Sequence, residues 1–211
     1  MRQTRLWLAL TAAMLIMGGV LATYTYITPL LTDRAGIPEG AVPLVLIAFG
    51  VGALGGTAIG GRMGDRRPMA TTITATAATA LVLLLLITLS TNAVTATALV
   101  FLMALTGFTV NPVVTSLAVR FAGDAPTLTS ALSTSAYNVG IAAGSAIAGT
   151  ALNSSLGLTG PPLVGTVTAA LTLFPLIAIA VRGTPHKARV VAQRTAPAHA
   201  RRDEPAPPQR T

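Results

Sequence analysis

The sequence predicts an all-α membrane protein of six transmembrane helices, arranged as two inverted three-helix repeats. Three observations carry that reading. Of 211 residues, 52% are hydrophobic and 9% charged, with a mean hydropathy of +0.70, whereas a soluble globular chain carries roughly a quarter charged residues. The apolar residues lie in runs of about 20 or more, the length that crosses a hydrocarbon core of roughly 30 Å. Finally, Val51–Gly61 returns 88 positions later as Val139–Gly149, identical at six of eleven positions. Six identities are weak in a chain rich in Ala and Gly, but the same offset superposes the other apolar segments, as in an internal repeat.

The spans are expected at about 6–31, 41–61, 70–90, 93–119, 128–152 and 162–181. Adding 88 carries the first three onto the last three. Each triplet has an odd number of spans, so the second enters the membrane from the opposite side. Basic residues orient the bundle. Arg2, Arg5, Arg62, Arg66, Arg67, Arg120 and the seven basic residues from Arg182 onward fall on one side of six spans, and Arg34 alone on the other. Both termini are therefore expected in the cytoplasm of a multi-pass bacterial cytoplasmic-membrane protein, the bacterial source being suggested by the Arg-over-Lys and Ala-Gly-Pro bias. A cleaved signal peptide ending at Val20-Leu21-Ala22 is the rival reading of the first segment. It is disfavoured because the apolar run continues to Leu31 and cleavage would spoil the charge segregation. From 183 to 211 the chain is Pro-, Ala- and Arg-rich and is expected to be a disordered basic cytoplasmic tail.

The formal charge of +8 sits at span ends and in the tail, which explains it without nucleic acid. The chain has no cysteine, which excludes disulfides, thiol catalysis and cysteine metal sites. No nucleophile–base pair, metal cluster or phosphate loop is present, so no enzyme activity, metal or cofactor is expected.

Small residues recur at intervals of four in the second span (Gly52, Gly56, Gly60, Gly64) and in the fifth (Gly140, Gly144, Ala148). This spacing lets membrane helices approach closely, either as static packing or as a smooth surface for rocking. Gly61-Arg62-Met63-Gly64-Asp65-Arg66-Arg67-Pro68 is expected as a turn with Asp65 just past a helix C-terminus, where the macrodipole disfavours its charge. Asp65 with Arg66 and Arg67 then forms either a charged hairpin or a cytoplasmic latch. Polar residues inside spans are candidates for a substrate path: Asn138 and Ser135 in the fifth, Asn111 before Pro112 in the fourth, and Tyr24 near the end of the first. Helix–helix hydrogen bonding, or an interfacial aromatic belt for the tyrosine, accounts for them equally well.

Gly61-x-x-x-Asp65-Arg66-Arg67 after a glycine-rich helix resembles the loop signature of the major facilitator superfamily, in the copy that opens its C-terminal half. Tyr24-Thr25-Tyr26-Ile27-Thr28-Pro29-Leu30-Leu31 is similar to the seventh span of its drug–proton antiporters, the chloramphenicol- and arabinose-efflux-like group. Ser135-Ala136-Tyr137-Asn138-Val139-Gly140 is similar to their eleventh. The resemblance covers about residues 5–182 and implies half of a major facilitator fold exporting small apolar or drug-like compounds by alternating access, with coupling to a proton gradient. Family members have twelve spans, and this chain matches the last six. None of its six acidic residues lies inside an expected span, whereas a proton relay needs an intramembrane ionisable group. A second six-span bundle, from another chain or a second copy, is the implied partner beside the lipid bilayer and the substrate. The alternative is a six-span assembly subunit without transport of its own.

Overall fold

The computed structural model describes residues 2–122 and 126–183. The chain divides into a bundle up to Ile179 and a C-terminal unit from Ala180; the expected tail lies outside the described residues except for Gly183. Among the described residues all regular structure is helical, with six long helices: α1 (Arg2–Thr25), α2 (Val42–Arg66), α3 (Pro68–Leu89), α4 (Ala93–Ala122), α5 (Pro126–Leu152) and α6 (Gly160–Gly183).

Proline and glycine punctuate the chain. The first span was expected as one helix to Leu31, but α1 stops at Thr25 and resumes as a short turn, Ile27–Pro29, and a wide one, Leu30–Arg34. Pro29 has no N–H for the carbonyl of Thr25, so the ladder cannot run through unbroken. Gly36 adopts φ +69° and lets the loop turn back towards α2. Helix α2 also differs from its expected span, continuing past Gly61 to Arg66. Arg67 alone separates it from α3, its N–H bonding back to Met63 at 3.0 Å and its carbonyl accepting from Thr71 at 3.0 Å. Pro68 opens α3, where a missing N–H costs nothing. Asn92 starts α4, its side-chain oxygen accepting the Val94 N–H at 2.9 Å.

Five of the six helices are long and apolar enough to cross a membrane. The exception is α5, long at 27 residues but too polar by composition, because Ser130, Ser133, Thr134, Ser135, Tyr137 and Asn138 occupy its first half. Of those five, α1 is the most buried and α2 the least. Ile16 and Val20 of α1, Leu83 and Leu86 of α3, and Val100 and Met103 of α4 are fully buried in the core.

Two helix pairs approach most closely through glycine. In the α2–α4 pair, a Cβ on Gly52 would lie 2.6 Å from the Phe101 carbonyl oxygen, and Cβ atoms on Gly56 and Gly60 would strike the carbonyls of Leu105 and Thr109. In the α1–α5 pair, Gly140 faces the Met14 carbonyl and Gly144 the Gly18 carbonyl, while Gly18 faces Gly140 in return. These separations leave no room for a side chain at the contact.

Gly56→Ala and Gly144→Ala are expected to force the pairs apart, each costing about 1–3 kcal/mol. Gly61→Ala, with no heavy atom within 4 Å of its would-be Cβ, is expected to be tolerated. Thermal melting and monodispersity of the purified variants in detergent check the contrast.

Candidate functional site

Threonine is the commonest polar side chain in the helices, and most of these hydroxyls are satisfied locally. Thr97, Thr106 and Thr109 of α4 each donate to the carbonyl four residues earlier, at 2.8, 2.8 and 2.7 Å. Such hydroxyls are neutralised within their own helix. The polar groups that depart from this pattern are the ones free to act on something else.

Asn138 and Ser135 are exposed on α5. Neither side chain has a hydrogen-bond partner among the described residues. Ser135 borders a shallow groove of about 250 Å³ that α5 shares with Trp7, Leu10 and Met14 of α1. Asn111 of α4 is half-buried. Its backbone carbonyl accepts a hydrogen bond from the Tyr137 hydroxyl at 3.3 Å, and that hydroxyl lies 2.6 Å from Thr115 Oγ1. Tyr24 belongs to a separate cluster. It stacks on Phe49 with ring centroids 4.2 Å apart, and Phe49 meets Phe108 edge-on at 5.9 Å. Aromatic contact of this kind joins α1, α2 and α4.

Asp65 lies in the last turn of α2, not beyond the helix as the sequence suggested. It is exposed and has no ion pair with Arg66, Arg67 or any other described residue. It lines a recess of about 30 Å³ with Gly60, Gly61 and Gly64 of its own helix and Pro112, Val113 and Ser116 of α4. The loop motif and the Asn111–Pro112 step therefore share one stretch of α4. Tyr24 stands apart from that stretch.

Phe49, Phe108, Thr115 and Tyr137 were not singled out from the sequence as site residues. The repeat contains a signal for two of them: adding 88 to Phe49 gives Tyr137. Among the described residues, no group of His, Asp or Glu could hold a metal ion.

Comparison with known proteins places this bundle. The family model for the Major Facilitator Superfamily matches residues 1–145. The chain belongs to the major facilitator superfamily. It is 30% identical over 161 residues to the "Chloramphenicol resistance protein" of Streptomyces lividans, a match covering 76% of this chain and 41% of that protein. It is 31% identical over 166 residues to the "Uncharacterized MFS-type transporter YtbD" of Bacillus subtilis, covering 77% and 42%. With the "Inner membrane transport protein YdhP" of Escherichia coli it shares 29% identity over 177 residues, covering 84% and 45%. The chain spans less than half the length of each of these relatives. Members of the superfamily are membrane transporters and not enzymes, and five helices apolar enough to cross a membrane mark this bundle as a multi-pass membrane protein.

Arg34, in the loop between α1 and α2, has a structural partner. Its guanidinium donates to the carbonyl of Ile87 in the last turn of α3, where helix carbonyls lack intrahelical donors and a cation is favoured. Arg34→Ala is expected to lower stability by about 1–2 kcal/mol, with Arg34→Lys retaining part of it, as read by thermal melting of the two purified variants.

Proposed function

We propose that this chain is one six-span bundle of an efflux transporter for small apolar or drug-like compounds. The bundle corresponds to the C-terminal half of a major facilitator fold and consists of two inverted three-helix repeats. It works by alternating access against a second six-span bundle, from a separate chain or a second copy. It lies in the bacterial cytoplasmic membrane with both termini inside.

The observation that carries this reading is the face of α5. The helix packs against α1 through Gly140 on Met14 and Gly144 on Gly18, and meets Tyr26 just past the end of α1 through Gly149. Beside that contact it exposes Ser135, at the rim of the groove shared with α1, and Asn138, neither with a partner among the described residues. An unsatisfied amide facing hydrocarbon costs several kcal/mol, so this face suits a water-filled path or the polar side of a partner bundle. Six spans follow if α5 crosses beside α1, despite its low hydropathy. Asn138, Ser135, Asn111 and Tyr24 line the path in this reading, and Asp65 with Arg66 and Arg67 gates the cytoplasmic side. The contact pattern also suits the repeat, since under the 88-residue offset the α2–α4 pair maps onto α5–α1. With no carboxylate inside the expected spans, the group that couples export to proton flow belongs to the other bundle.

Expression in an efflux-deficient host, with and without a neighbouring six-span partner, tests the proposal. Accumulation of a fluorescent drug panel should fall when both bundles are present. Unchanged accumulation in both settings would sink the transport reading. Asp65→Asn is expected to lower export several-fold, and unaltered export would remove the gate role.

A further inference from the structure

Thr115 departs from the threonine pattern of its own helix. Its hydroxyl has the carbonyl of Asn111 four residues earlier, the partner that Thr97, Thr106 and Thr109 use at their own positions. Instead Thr115 Oγ1 lies 2.6 Å from the Tyr137 hydroxyl, and Tyr137 donates to the Asn111 carbonyl at 3.3 Å. Tyr137 donates one proton and Thr115 supplies the other, so the tyrosine oxygen is inserted into the local bond that Thr115 would otherwise make. The inserted group comes from α5, which turns an intrahelical bond into a clip between two helices.

The clip has a specific position. It holds α4 at the residue before Pro112, where the helix has already lost one backbone donor. On α5 it immediately precedes Asn138. Asn111 and Asn138, two span amides without side-chain partners among the described residues, thus flank a single hydrogen-bonded junction. Under the 88-residue offset Tyr137 corresponds to Phe49, which makes the equivalent contact in the first triplet by stacking on Tyr24. One triplet joins its helices by ring stacking and the other by hydroxyl bonding.

We infer that Tyr137 is a positioning residue: through Thr115 and the Asn111 carbonyl it fixes the rotation and depth of α5 against α4, and so sets the placement of Asn138 relative to Asn111. The role in transport rests on the proposal that these amides line the substrate path. The junction itself does not.

The chain has no cysteine, so a single reporter cysteine can be read without background. Ala142→Cys places it on the exposed face of α5, one turn beyond Asn138. In membranes holding the full chain, Tyr137→Phe and Thr115→Val are each expected to change its maleimide labelling rate by roughly three- to ten-fold, the scale of one interhelical hydrogen bond. The double variant should change it no further, and Thr115→Ser, which keeps the hydroxyl, should restore the original rate. In cells exporting a fluorescent dye, Tyr137→Phe should raise the apparent KM with kcat little altered. An unchanged labelling rate in Tyr137→Phe, or equal damage from Thr115→Ser and Thr115→Val, overturns the inference. Altered labelling with no export by the parent chain, alone or with a partner bundle, upholds the junction and defeats the transport reading instead.

Discussion

The bundle depends on backbone-to-backbone contact between helices at glycine. Water drives apolar helices together in a soluble protein, but lipid tails solvate them as well as neighbouring leucines do. Close van der Waals approach must supply the attraction instead. Gly52, Gly56 and Gly60 place α2 directly on the carbonyls of α4, and Gly140 and Gly144 place α5 on those of α1. A methyl group at these positions would collide with backbone, which cannot rotate away as a side chain can. The interhelical spacing is thus fixed by the absence of atoms, and the larger core residues, such as Leu83 and Met103, fill the space that this spacing leaves.

That geometry limits how polar groups can be held. Helices this close have little room for long side chains at their contacts, so threonine carries most of the polarity and returns its hydroxyl to its own backbone. Thr79 to Ala75 at 2.8 Å and Thr172 to Thr168 at 2.8 Å are typical. A buried exception is Thr23, whose hydroxyl lies near both Gly19 O at 3.1 Å and Pro161 O at 3.2 Å, tying α1 to the start of α6. Against this background of self-satisfied hydroxyls, the amides of Asn138 and Asn111 are conspicuous. An asparagine side chain brings two donors and two acceptor sites, and neither residue has a side-chain partner among the described residues.

Much of the fold was legible in the sequence because membrane crossing imposes length and hydropathy directly. Six long helices stand where apolar runs were expected, five of them apolar enough to cross a membrane. The ends were harder. Extension of α2 through Gly61-Arg62-Met63-Gly64-Asp65-Arg66 was missed because a charged, glycine-bearing segment looks like a turn. Those glycines instead continue the contact stripe onto α4, with Gly64 meeting Val113, so tertiary packing overrides their low helix propensity. The break after Thr25 was written in Pro29 but masked by the continuing apolar run. The site was less legible still. Asn138 and Ser135 could be chosen by polarity alone, but the Tyr137–Thr115 pairing joins residues 22 apart and depends on helix rotation, which composition does not specify. Periodicity does constrain rotation, and the offset that relates Phe49 to Tyr137 was the one available pointer.

The offset also bears on how the bundle can move. Phe49 and Tyr137, 88 positions apart, have unlike chemistry. Ring stacking between Tyr24 and Phe49 is tolerant of sliding, because the contact is broad and has no required hydrogen position. The Tyr137 junction is directional, since a hydroxyl bond weakens steeply as its angle departs from linear. The α1–α2 and α4–α5 pairs are therefore joined by one compliant contact and one angular contact. A bundle with equal joints would flex equally at both ends. Unequal joints make the α4–α5 contact the stiffer until its hydrogen bonds break, and the looser once they have, so the two ends respond to displacement in different ways. The glycine contacts lie between the other pairs, α2–α4 and α1–α5, so those backbones stay in contact whichever side-chain joint yields.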